Sequence, residues 1–565
     1  MTYKSQRAKF VILSQLKPFL QKLRPLLYTD QKASSYALLI ALSLVSSIFI
    51  IWESIQRGEF ISALAARDAS RFQRALIIFI AVLLATAILQ SVNTFIRDRL
   101  SLQWRKALTH RFLKAYLAKK SYYHLTIPTY KHDSIDNPDQ RLSEDIKLVS
   151  QTTFLLGIVL VESLVQLVGF IGVIWAVSHT LTGFLIGYCL LGTAITGLCF
   201  GRPLTRINTE QLKCEANFRF GLINLREHAE SISFYQGQQA EETLLKRSFA
   251  KVVANFNRLI RWSLGLNLFQ NGYQYLTFII PSVILAPSIL SGQLEVGAIV
   301  QSQAAFDRIW LSLSLIIVQF ENLTTLAASI NRLNGLDQSL QSFGQSESLN
   351  TQPSPLLAVE GLSLFTPNNR RCLCHELSFE VPIGQNLLIT GPSGVGKSTL
   401  VKTLAGLWRD QQGILLAPTE IMFLPQQPYL RLGTLRQQLL YPLQESDLKD
   451  IQIAEVLQKV DLPDLAQVPL NITADWSQRL SLGEQQRLSF ARLLLQRPLY
   501  AILDEATSAV TVEQEQKLYQ QLQAAGVTTI SIGHRPSLVA YHNQILSLRM
   551  DSTWQLQSPQ DYHFA

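Results

Sequence analysis

The stretch NLLITGPSGVGKSTL, residues 386–400, decides the fold of the C-terminal part of the chain. An apolar run leads into a glycine-rich turn with the spacing G-x-x-x-x-G-K-[ST] at Gly391, Gly396, Lys397 and Ser398. Glycines let backbone N–H groups wrap phosphate oxygens, the lysine brings a positive charge, and the serine hydroxyl can ligate Mg²⁺. The pattern therefore predicts a strand, a phosphate-binding loop and a helix. The residues predicted to bind the nucleotide are Gly391, Pro392, Ser393, Gly394, Val395, Gly396, Lys397, Ser398 and Thr399.

A second apolar run, YAILDE at residues 500–505, ends in two acids. We expect Asp504 to hold Mg²⁺ and Glu505 to polarise the attacking water, as phosphoryl transfer requires. A strand that ends in two acids is common and is usually just solvated. Downstream of a phosphate-binding loop, the catalytic interpretation is favoured.

Short β-type runs alternate with helical stretches through this half of the chain. The runs are LAVEGLSLF, NLLIT, IMFLP, YAILDE and TTISIGH. Such alternation is typical of an α/β domain with a mostly parallel sheet. We place this domain at 356–565, after a linker at 341–355 that is rich in Ser, Gln and Pro.

The first half, 31–340, is instead apolar and helical, with six segments long enough, or nearly so, to cross a bilayer. The first of them carries no charge from Ser35 to Trp52. The last two are interrupted by Asn267, Gln270, Asp307 and Arg308, which is typical of helices that face a polar cavity. The six predicted spans cover residues 34–55, 72–96, 151–178, 181–201, 264–290 and 294–325.

The loops between these segments differ in charge. The connection 97–150 and the one that starts at Gly201 are long and rich in Arg and Lys, whereas 178–180 and 286–297 contain neither. The positive-inside rule therefore places the N-terminus and both long connections in the cytoplasm. We expect residues 1–30, which are basic and interrupted by prolines, to form an amphipathic segment on the cytoplasmic leaflet.

Composition agrees with a membrane part joined to a soluble part: 48% of the 565 residues are hydrophobic and 16% are charged. The net charge of +9 fits basic membrane loops at least as well as a nucleic-acid groove. The five cysteines have neither disulfide-framework nor zinc spacing. Neither nucleic acid nor a structural metal is predicted as a partner.

The region RLSLGEQQRLSFARLLLQRPLYAILDEATSAV, residues 479–510, resembles the signature region of ABC transporter ATPases. The resemblance spans the C-terminal domain, with the motifs in the family's order. It implies that Gln426, in FLPQQPYL, is the Q-loop glutamine and that His534, in SIGHR, contacts the γ-phosphate. Together with Glu505 these residues are the expected catalytic set, and Ser398, Gln426 and Asp504 are the expected Mg²⁺ ligands.

The resemblance also implies a second chain. In the family, the signature turn caps the nucleotide that is held by the other subunit's phosphate-binding loop. One chain with one such loop and one signature turn needs a second copy related by a two-fold axis. We therefore expect a homodimer with two shared ATP sites. The signature residues expected to contact the partner's ATP are Ser481, Leu482, Gly483 and Glu484.

Three stretches depart from the family pattern. The signature reads LSLGE, residues 480–484, where the family most often has a second glycine and a glutamine. Thr511 stands where an aspartate is usual, which questions the cross-talk between the two ATP sites. Thr366 occupies the position of an adenine-stacking tyrosine, and the neighbouring Phe365 can point the other way along a strand, so base stacking is left open.

The membrane half narrows the resemblance. DSIDNPDQRLSEDI, residues 133–146, and the stretch 215–241 resemble the first and second cytoplasmic loops of one ABC group. That group comprises subfamily D, with peroxisomal fatty-acyl and lysosomal cobalamin transporters, and bacterial relatives that take up vitamin B12 or antimicrobial peptides. Both loops are candidates for coupling helices that contact the ATPase domains. The resemblance implies an exporter-type half-transporter: six membrane helices followed by an α/β ATPase domain.

We therefore predict an ATP-driven homodimeric transporter that works by alternating access in the cytoplasmic membrane. The cargo is predicted to be large and hydrophilic or amphipathic, such as cobalamin or a peptide; fatty acids or acyl-CoA are the alternative. Polar residues in the last two spans either line a cargo cavity or pack helices together, and both interpretations stay open. These residues are Gln270, Asn271, Gln301, Gln303, Asp307 and Arg308.

Two other classes are disfavoured. A soluble ATPase acting on nucleic acid would not have six apolar spans. It would be expected to have a basic surface with interleaved aromatic residues, and no such pattern is evident in the sequence. A membrane protein that binds ATP without turnover would be expected to lack Glu505 or His534, and both are present.

Overall fold

The computed structural model describes residues 33–126, 138–313, 315, 319–345, 350–367, 371–443 and 448–562. Within these ranges the chain forms two compact units. The membrane unit comprises 33–115 and 138–339, and the ATPase unit comprises 116–126 and 340–562. The N-terminal segment 1–30 lies outside the described residues, and the linker 341–355 is described only in part.

Helices account for the architecture of the membrane unit. In chain order the α-helices up to residue 345 are α1 Ala33–Ala65, α2 Ala69–Leu117, α3 Ser121–Thr126, α4 Pro138–Gln140, α5 Ile146–Val177, α6 His179–Ile195, α7 Arg202–Glu227, α8 Ala229–Phe234, α9 Gln238–Leu290, α10 Gly297–Leu313 and α11 Phe320–Gln345. Shorter turns connect some of them: a 3-10 turn at Ala118–Lys120 before α3, and π-helical turns at Arg141–Asp145 before α5 and Thr196–Gly201 before α7.

Several of these helices are long and apolar enough to cross a membrane. Within the described residues five qualify by length and composition: Ser35–Ala65, Ala69–Leu125, Pro138–Val177, His179–Gly201 and Gln238–Leu290. Helix α9 has 53 residues, a length of about 80 Å against a hydrocarbon core of about 30 Å. Such helices must continue far beyond the bilayer, as expected from the sequence. The sixth predicted span, 294–325, contains α10 and residues outside the described set, so the count of six stays a prediction.

A buried apolar cluster joins five membrane helices, α1, α5, α6, α9 and α10. Phe170 of α5, Leu181 of α6 and Phe306 and Ile309 of α10 are at most 1% exposed, and Ile50 of α1 packs against the same cluster. Most side chains on the opposite faces of these helices are apolar and exposed, as expected for surfaces covered by lipid acyl chains.

At one end of this bundle an arginine joins three elements. Arg71, at the start of α2, bonds both oxygens of Glu59 on α1 at 2.7 and 2.9 Å and both oxygens of Glu295, just before α10, at 2.9 and 2.8 Å. Beside it the backbones of α1 and α10 touch: a Cβ added to Gly297 would overlap the carbonyl oxygen of Gly58. The positive-inside rule predicts that this end is extracytoplasmic.

The first predicted coupling loop, 133–146, is described only from Pro138 onwards. The part of 133–146 that is described lies in the membrane unit, where Asp145 is buried and accepts hydrogen bonds from Arg332 Nε at 2.7 Å and Ser329 Oγ at 2.8 Å. The segment that belongs to the ATPase unit is earlier, at α3. There Leu125 is buried, and Lys120 Nζ donates to the carbonyl oxygen of Ala405. Asp145 of this stretch bonds to a distant arginine, which local sequence does not reveal. Residues 133–137 lie outside the described residues, so the assignment of this loop as a coupling segment stays a prediction.

The ATPase unit mixes strands and helices. Its strands are β1 Asn350–Pro353, β2 Leu357–Phe365, β3 Cys372–Val381, β4 Leu387–Thr390, β5 Gln411–Ala417, β6 Ile421–Leu424, β7 Gly433–Thr434, β8 Thr473–Ala474, β9 Tyr500–Asp504, β10 Thr528–Ile532, β11 Gln544–Leu548 and β12 Trp554–Gln557. Its later helices are α12 Lys397–Leu404, α13 Leu435–Leu440, α14 Asp450–Lys459, α15 Pro463–Ala466, α16 Trp476–Arg479, α17 Leu482–Gln496 and α18 Val512–Ala524, with a 3-10 helix at Pro536–Tyr541.

The central sheet has the strand order β12-β11-β4-β10-β9-β6, in which only β12 is antiparallel. Its strands are buried on both faces: in β9, Tyr500 and Ile502 enter one apolar cluster, while Ala501 and Leu503 enter the other. Parallel strands covered on both faces need continuous apolar runs, which is why these segments were recognisable in the sequence. The predicted α/β fold and its five predicted strands are confirmed.

Candidate active site

Four neighbouring parallel strands bring the predicted site together. The phosphate-binding loop follows β4, His534 follows β10, Glu505 follows β9 and Gln426 follows β6, and these strands are adjacent in the order β4-β10-β9-β6. Ligands of open α/β sheets bind outside the carboxyl ends of the strands. The topology therefore gathers residues that are more than 140 positions apart in the sequence at a single edge.

The phosphate-binding loop adopts a backbone that suits glycine. Gly391 has φ +143° and Gly396 has φ +114°, values that residues with a Cβ rarely adopt. Gly396 is the N-cap of α12 and offers no capping side chain, so the first N–H groups of this helix are available to an anion. Lys397 Nζ donates to the carbonyl oxygens of Gly391 at 2.7 Å and Pro392 at 3.0 Å. Burial lowers the pKa of Lys397, while the nearby carboxylates of Glu505 and Asp504 act in the opposite direction.

The acid end of β9 contacts two of the predicted catalytic residues. Gln426 Nε2 donates to Glu505 Oε2 at 2.9 Å, and His534 Nε2 lies 3.7 Å from Glu505 Oε1. Glu505 has φ +48°, a backbone conformation that costs energy for a non-glycine residue and is typical of functional sites. Burial, with a smaller contribution from Glu505, raises the pKa of Asp504.

The signature turn opens another helix. Ser481 is the N-cap of α17, and a capping box joins it to Glu484: the carboxylate accepts from Ser481 N at 2.8 Å and from Ser481 Oγ at 2.7 Å. These hydrogen bonds lower the pKa of Glu484. Ser481 and Leu482 are exposed, and a Cβ added to Gly483 would lie 2.7 Å from the carbonyl oxygen of Ala509.

Sequence inspection missed a buried glutamine in α17. Gln486 is 1% exposed; its Nε2 donates to the backbone oxygen of Gln426 at 3.1 Å and to Ser508 Oγ at 3.0 Å, and its Oε1 accepts from Ala509 N at 2.9 Å. A usable signal existed, because residue 486 lies on the stripe of α17 that continues at Phe490 and Leu493. A polar residue on such a stripe needs buried partners.

A buried carboxylate was missed as well. Glu515 of α18 accepts from Thr507 Oγ1 at 2.6 Å and from Ser537 Oγ at 2.5 Å. Arg535, next to His534, donates to the carbonyl oxygens of Ser508 at 3.0 Å and Val510 at 2.9 Å. The turn after β9 is therefore bonded to the segment that carries His534.

Two departures from the family pattern have visible consequences. Thr511 is the N-cap of α18, and its hydroxyl accepts from Gln514 N at 3.3 Å. Thr366 Oγ1 accepts from Arg371 N at 2.9 Å. Both hydroxyls therefore make local backbone contacts, and the stacking of adenine stays an open question.

Some of the polar residues in the last spans pack helices together. Gln303 Nε2 of α10 donates to the carbonyl oxygen of Phe278 on α9 at 2.9 Å, and Asp307 lies 3.4 Å from Thr277 Oγ1. For these two residues the structure favours the packing interpretation over the cargo interpretation. In the helices before them, Asn93 Nδ2 on α2 donates to Glu162 Oε1 on α5 at 3.0 Å.

These features define a class: a P-loop ATPase carried on the same chain as a set of membrane-spanning helices. Comparison with known proteins is more specific. The profile for ABC transporter transmembrane region 2 matches residues 26–290, and the ABC transporter ATPase profile matches 374–508.

Curated relatives span both units. An uncharacterized ABC transporter ATP-binding protein of Synechocystis is 42% identical over 88% of this chain and 77% of its own length. ABC transporter D family member 2, chloroplastic, of Arabidopsis thaliana is 34% identical over 92% of this chain and 83% of its own. A lysosomal cobalamin transporter of Homo sapiens is 31% identical over 96% of both chains.

The chain belongs to the ABC transporter family, and its relatives include subfamily D members. One membrane region followed by one ATP-binding domain is the arrangement of a half-transporter. The protein is accordingly an ATP hydrolase coupled to transport across a membrane.

Proposed function

We propose that two copies of this chain form an ATP-driven transporter that moves a large hydrophilic or amphipathic cargo by alternating access. The observation that carries the proposal is the presence of two helix N-termini in one ATPase unit, one at the P-loop and one at the signature turn. Strand order gathers Glu505, Gln426 and His534 beside the P-loop end of α12. The signature end of α17 is exposed and is bonded to its own Glu484. A nucleotide held by a second copy would complete it.

Hydrolysis is assigned to residues of the P-loop side. Lys397 would bind the outer phosphates, and Glu505 would accept a proton from the attacking water. His534 would contact the γ-phosphate, and Gln426 would orient the carboxylate that it already touches at 2.9 Å. A positioned general base contributes about 10²–10⁴-fold to such a step.

Mg²⁺ fits the donor atoms at this edge. Ser398, Asp504 and Gln426 offer a hydroxyl, a carboxylate and an amide oxygen, the hard ligands that Mg²⁺ prefers. The described residues contain no cluster of three His, Cys, Asp or Glu that could bind a metal alone; Mg²⁺ is usually held by one or two protein groups together with phosphates. When bound, Mg²⁺ would neutralise charge on the β- and γ-phosphates.

The second cytoplasmic loop is the proposed contact with the partner copy. Helices α7 and α9 run out to α8, and Phe234 and Tyr235 at its end are 78% and 88% exposed. A groove of about 490 Å³ lies beside them, lined by apolar side chains that include Leu222 and Phe249. Because α3 belongs to its own chain's ATPase unit, we assign the α8 end to the ATPase unit of the second copy.

Cobalamin or a peptide is the proposed cargo class, and the membrane is proposed to be the bacterial cytoplasmic membrane. Support comes from the human relative, whose name gives cobalamin as its cargo, and from the 42% identical bacterial relative. Basic loops on one side of the apolar helices support the placement of the ATPase unit in the cytoplasm.

A mixed-dimer experiment tests the shared site. One copy carries Lys397→Met and the other Ser481→Asp, each with its own affinity tag, and the mixed dimer is purified through both tags. Asp is a good N-cap, so α17 keeps its start while the new charge repels phosphate. If sites are shared, both defects fall in one site, the other is intact, and about half of the wild-type ATPase activity remains.

The matched control places both substitutions in one copy and pairs it with a wild-type copy. Shared sites are then both damaged, and activity is lost. If instead each chain hydrolysed ATP alone, the pattern would reverse: the first mixed dimer would be inactive and the control would retain half. That reversal would disprove the proposed dimeric mechanism.

Cargo is tested separately, in proteoliposomes with labelled cobalamin, a hydrophilic peptide and a fatty acyl-CoA, with the Glu505→Gln variant as the blank. ATP-dependent movement of cobalamin or peptide supports the proposal. Movement of acyl-CoA alone would establish the alternative cargo, and movement of none would remove all three.

A further inference from the structure

Gln486 occupies a junction between three motifs of the ATPase unit. It is buried, and its amide makes three hydrogen bonds: to the backbone oxygen of Gln426, to Ser508 Oγ and from Ala509 N, all between 2.9 and 3.1 Å. A buried amide with directed partners on both of its polar atoms is held in one orientation. Gln486 therefore fixes two segments relative to α17: the segment that carries Gln426, and residues 508–509 after β9.

Both of these segments act directly on Glu505. The side chain of Gln426 donates to Glu505 Oε2 at 2.9 Å, and the backbone N–H of Ser508 donates to the carbonyl oxygen of Glu505 at 3.1 Å. The carboxylate is thus oriented from one side and its backbone from the other. A shift of Gln486 would move both supports of the catalytic acid together.

The signature turn is at the N-terminal end of α17, close to Gln486. Ser481 lies five residues before Gln486, a rise of about 7.5 Å along a rigid helix. Gly483 is also close to Ala509, so the turn after β9 contacts α17 at two positions about one helical turn apart, Gly483 and Gln486. Any displacement of the signature turn on contact with phosphate is therefore carried to Gln426 and Ser508 through this helix.

Thr511, where the family usually has an aspartate, uses its hydroxyl to cap α18. Gln486 instead holds the adjoining residues 508 and 509.

We propose that Gln486 is a positioning residue that aligns Glu505 for hydrolysis when the signature turn of the same chain engages the partner's ATP. The inference rests on the shared site proposed above. It assigns to Gln486 the coupling between the two ATP sites of the dimer.

The test uses the full-length dimer in nanodiscs. Gln486→Leu removes all three hydrogen bonds at nearly constant volume. Gln496→Leu is the matched control: this glutamine lies on the same helix and donates to the carbonyl oxygens of Leu440 at 3.2 Å and Tyr441 at 2.9 Å. Measurements are ATPase rate against ATP concentration, binding of a fluorescent ATP analogue without Mg²⁺, and thermal denaturation.

For Gln486→Leu we expect kcat to fall about 10–100-fold, the range for a small misplacement of a catalytic group. Analogue binding should stay within about threefold because the P-loop is untouched, and the Hill coefficient should fall towards 1. Gln496→Leu should retain the wild-type kcat and cooperativity. A kcat within twofold of wild type for Gln486→Leu, or an equal loss in both variants, would overturn the inference.

Two further outcomes are separable. If Gln486→Leu fails to bind the analogue, the Ser508→Ala variant tests the inference instead, because Ser508 is exposed and its hydroxyl is one partner of the Gln486 amide. We expect kcat of Ser508→Ala to be about two- to fivefold lower than wild type. An unchanged kcat would overturn the inference. If wild-type hydrolysis shows no cooperativity and the mixed dimers behave as independent chains, the shared site fails. A loss of kcat in Gln486→Leu would then support the positioning of Glu505 by Gln486 but not the coupling between two ATP sites.

Discussion

The starts of α12 and α17 are both helix N-termini in one ATPase unit, yet they are prepared for anions in different ways. At α12, glycine backbone leaves the first N–H groups without a capping side chain, and Lys397 adds positive charge. At α17, Ser481 and Glu484 close a capping box and add negative charge. We propose that the first end holds phosphate through its own backbone N–H groups and Lys397. A phosphate contact at the second end would have to share or rearrange the existing cap, which suits a contact that forms and breaks in each cycle.

The largest effect is expected from removal of the proposed catalytic base, which lies on the P-loop side only. Glu505→Gln should lower kcat by about 10³-fold, because it removes the base on the P-loop side. ATP affinity should stay within about threefold, since Lys397 and the loop glycines remain. Steady-state ATPase and equilibrium nucleotide binding measure the two quantities. Glu513→Gln, at an exposed position of α18, is the control; equal losses in both variants would contradict the assignment.

The next effect concerns the P-loop end alone. Lys397→Met should weaken ATP binding about 10–100-fold, the loss of one charge-assisted hydrogen bond of about 1.5–3 kcal/mol. Lys517→Met, an exposed lysine on α18, should leave binding unchanged. Isothermal titration with a non-hydrolysable analogue is the measurement. Binding by Lys397→Met within twofold of wild type would mean that the backbone alone holds the nucleotide.

A smaller effect is expected at the signature end. Glu484→Gln keeps the capping box and removes the negative charge, so the KM for ATP should fall about two- to fivefold, in line with 0.3–1 kcal/mol for a charge at a helix N-terminus. The pKa of Glu484 is below its ordinary value, so the carboxylate is ionised throughout neutral pH. The ratio between variant and wild type should therefore be constant from pH 6 to 8.

Glu484→Ala is the counterpart, because it removes the charge and the cap together. Its KM should exceed that of Glu484→Gln. Identical KM values for the two variants would show that the cap contributes nothing to the signature contact.

The smallest effect is expected at a third helix N-terminus, the start of α18. Thr511 forms a capping box on α18 of the same type as that on α17, without a proposed phosphate contact. Thr511→Ala should destabilise the ATPase unit by about 1 kcal/mol, whereas Thr511→Asp, another good N-cap, should retain its stability. Urea denaturation followed by tryptophan fluorescence tests both. A stable Thr511→Ala variant would show that the cap on α18 is dispensable.

Local patterns explain what the sequence could reveal. The P-loop, the acids after β9 and the apolar strands are each contained in fewer than 16 residues, so periodicity and spacing identify them. The stripe of α17 indicates that Gln486 needs buried partners, but the sequence identifies neither those partners nor the partner of Asp145. Gln486 bonds to Gln426, 60 positions away, and Arg332 is 187 positions from Asp145. Asp145 looks like a solvated loop acid in the sequence, and only the tertiary contacts identify the partners of both residues.

The ion cluster of Arg71 bears on the energetics of the whole cycle. One guanidinium bonds two carboxylates there, next to a glycine-to-glycine contact between α1 and α10. Separation of these helices at this end would break the hydrogen bonds between one guanidinium and two carboxylates and would open a close backbone contact. Opening the helices on that side of the membrane therefore has a free-energy cost. Raised ionic strength screens such ion pairs and should lower this cost.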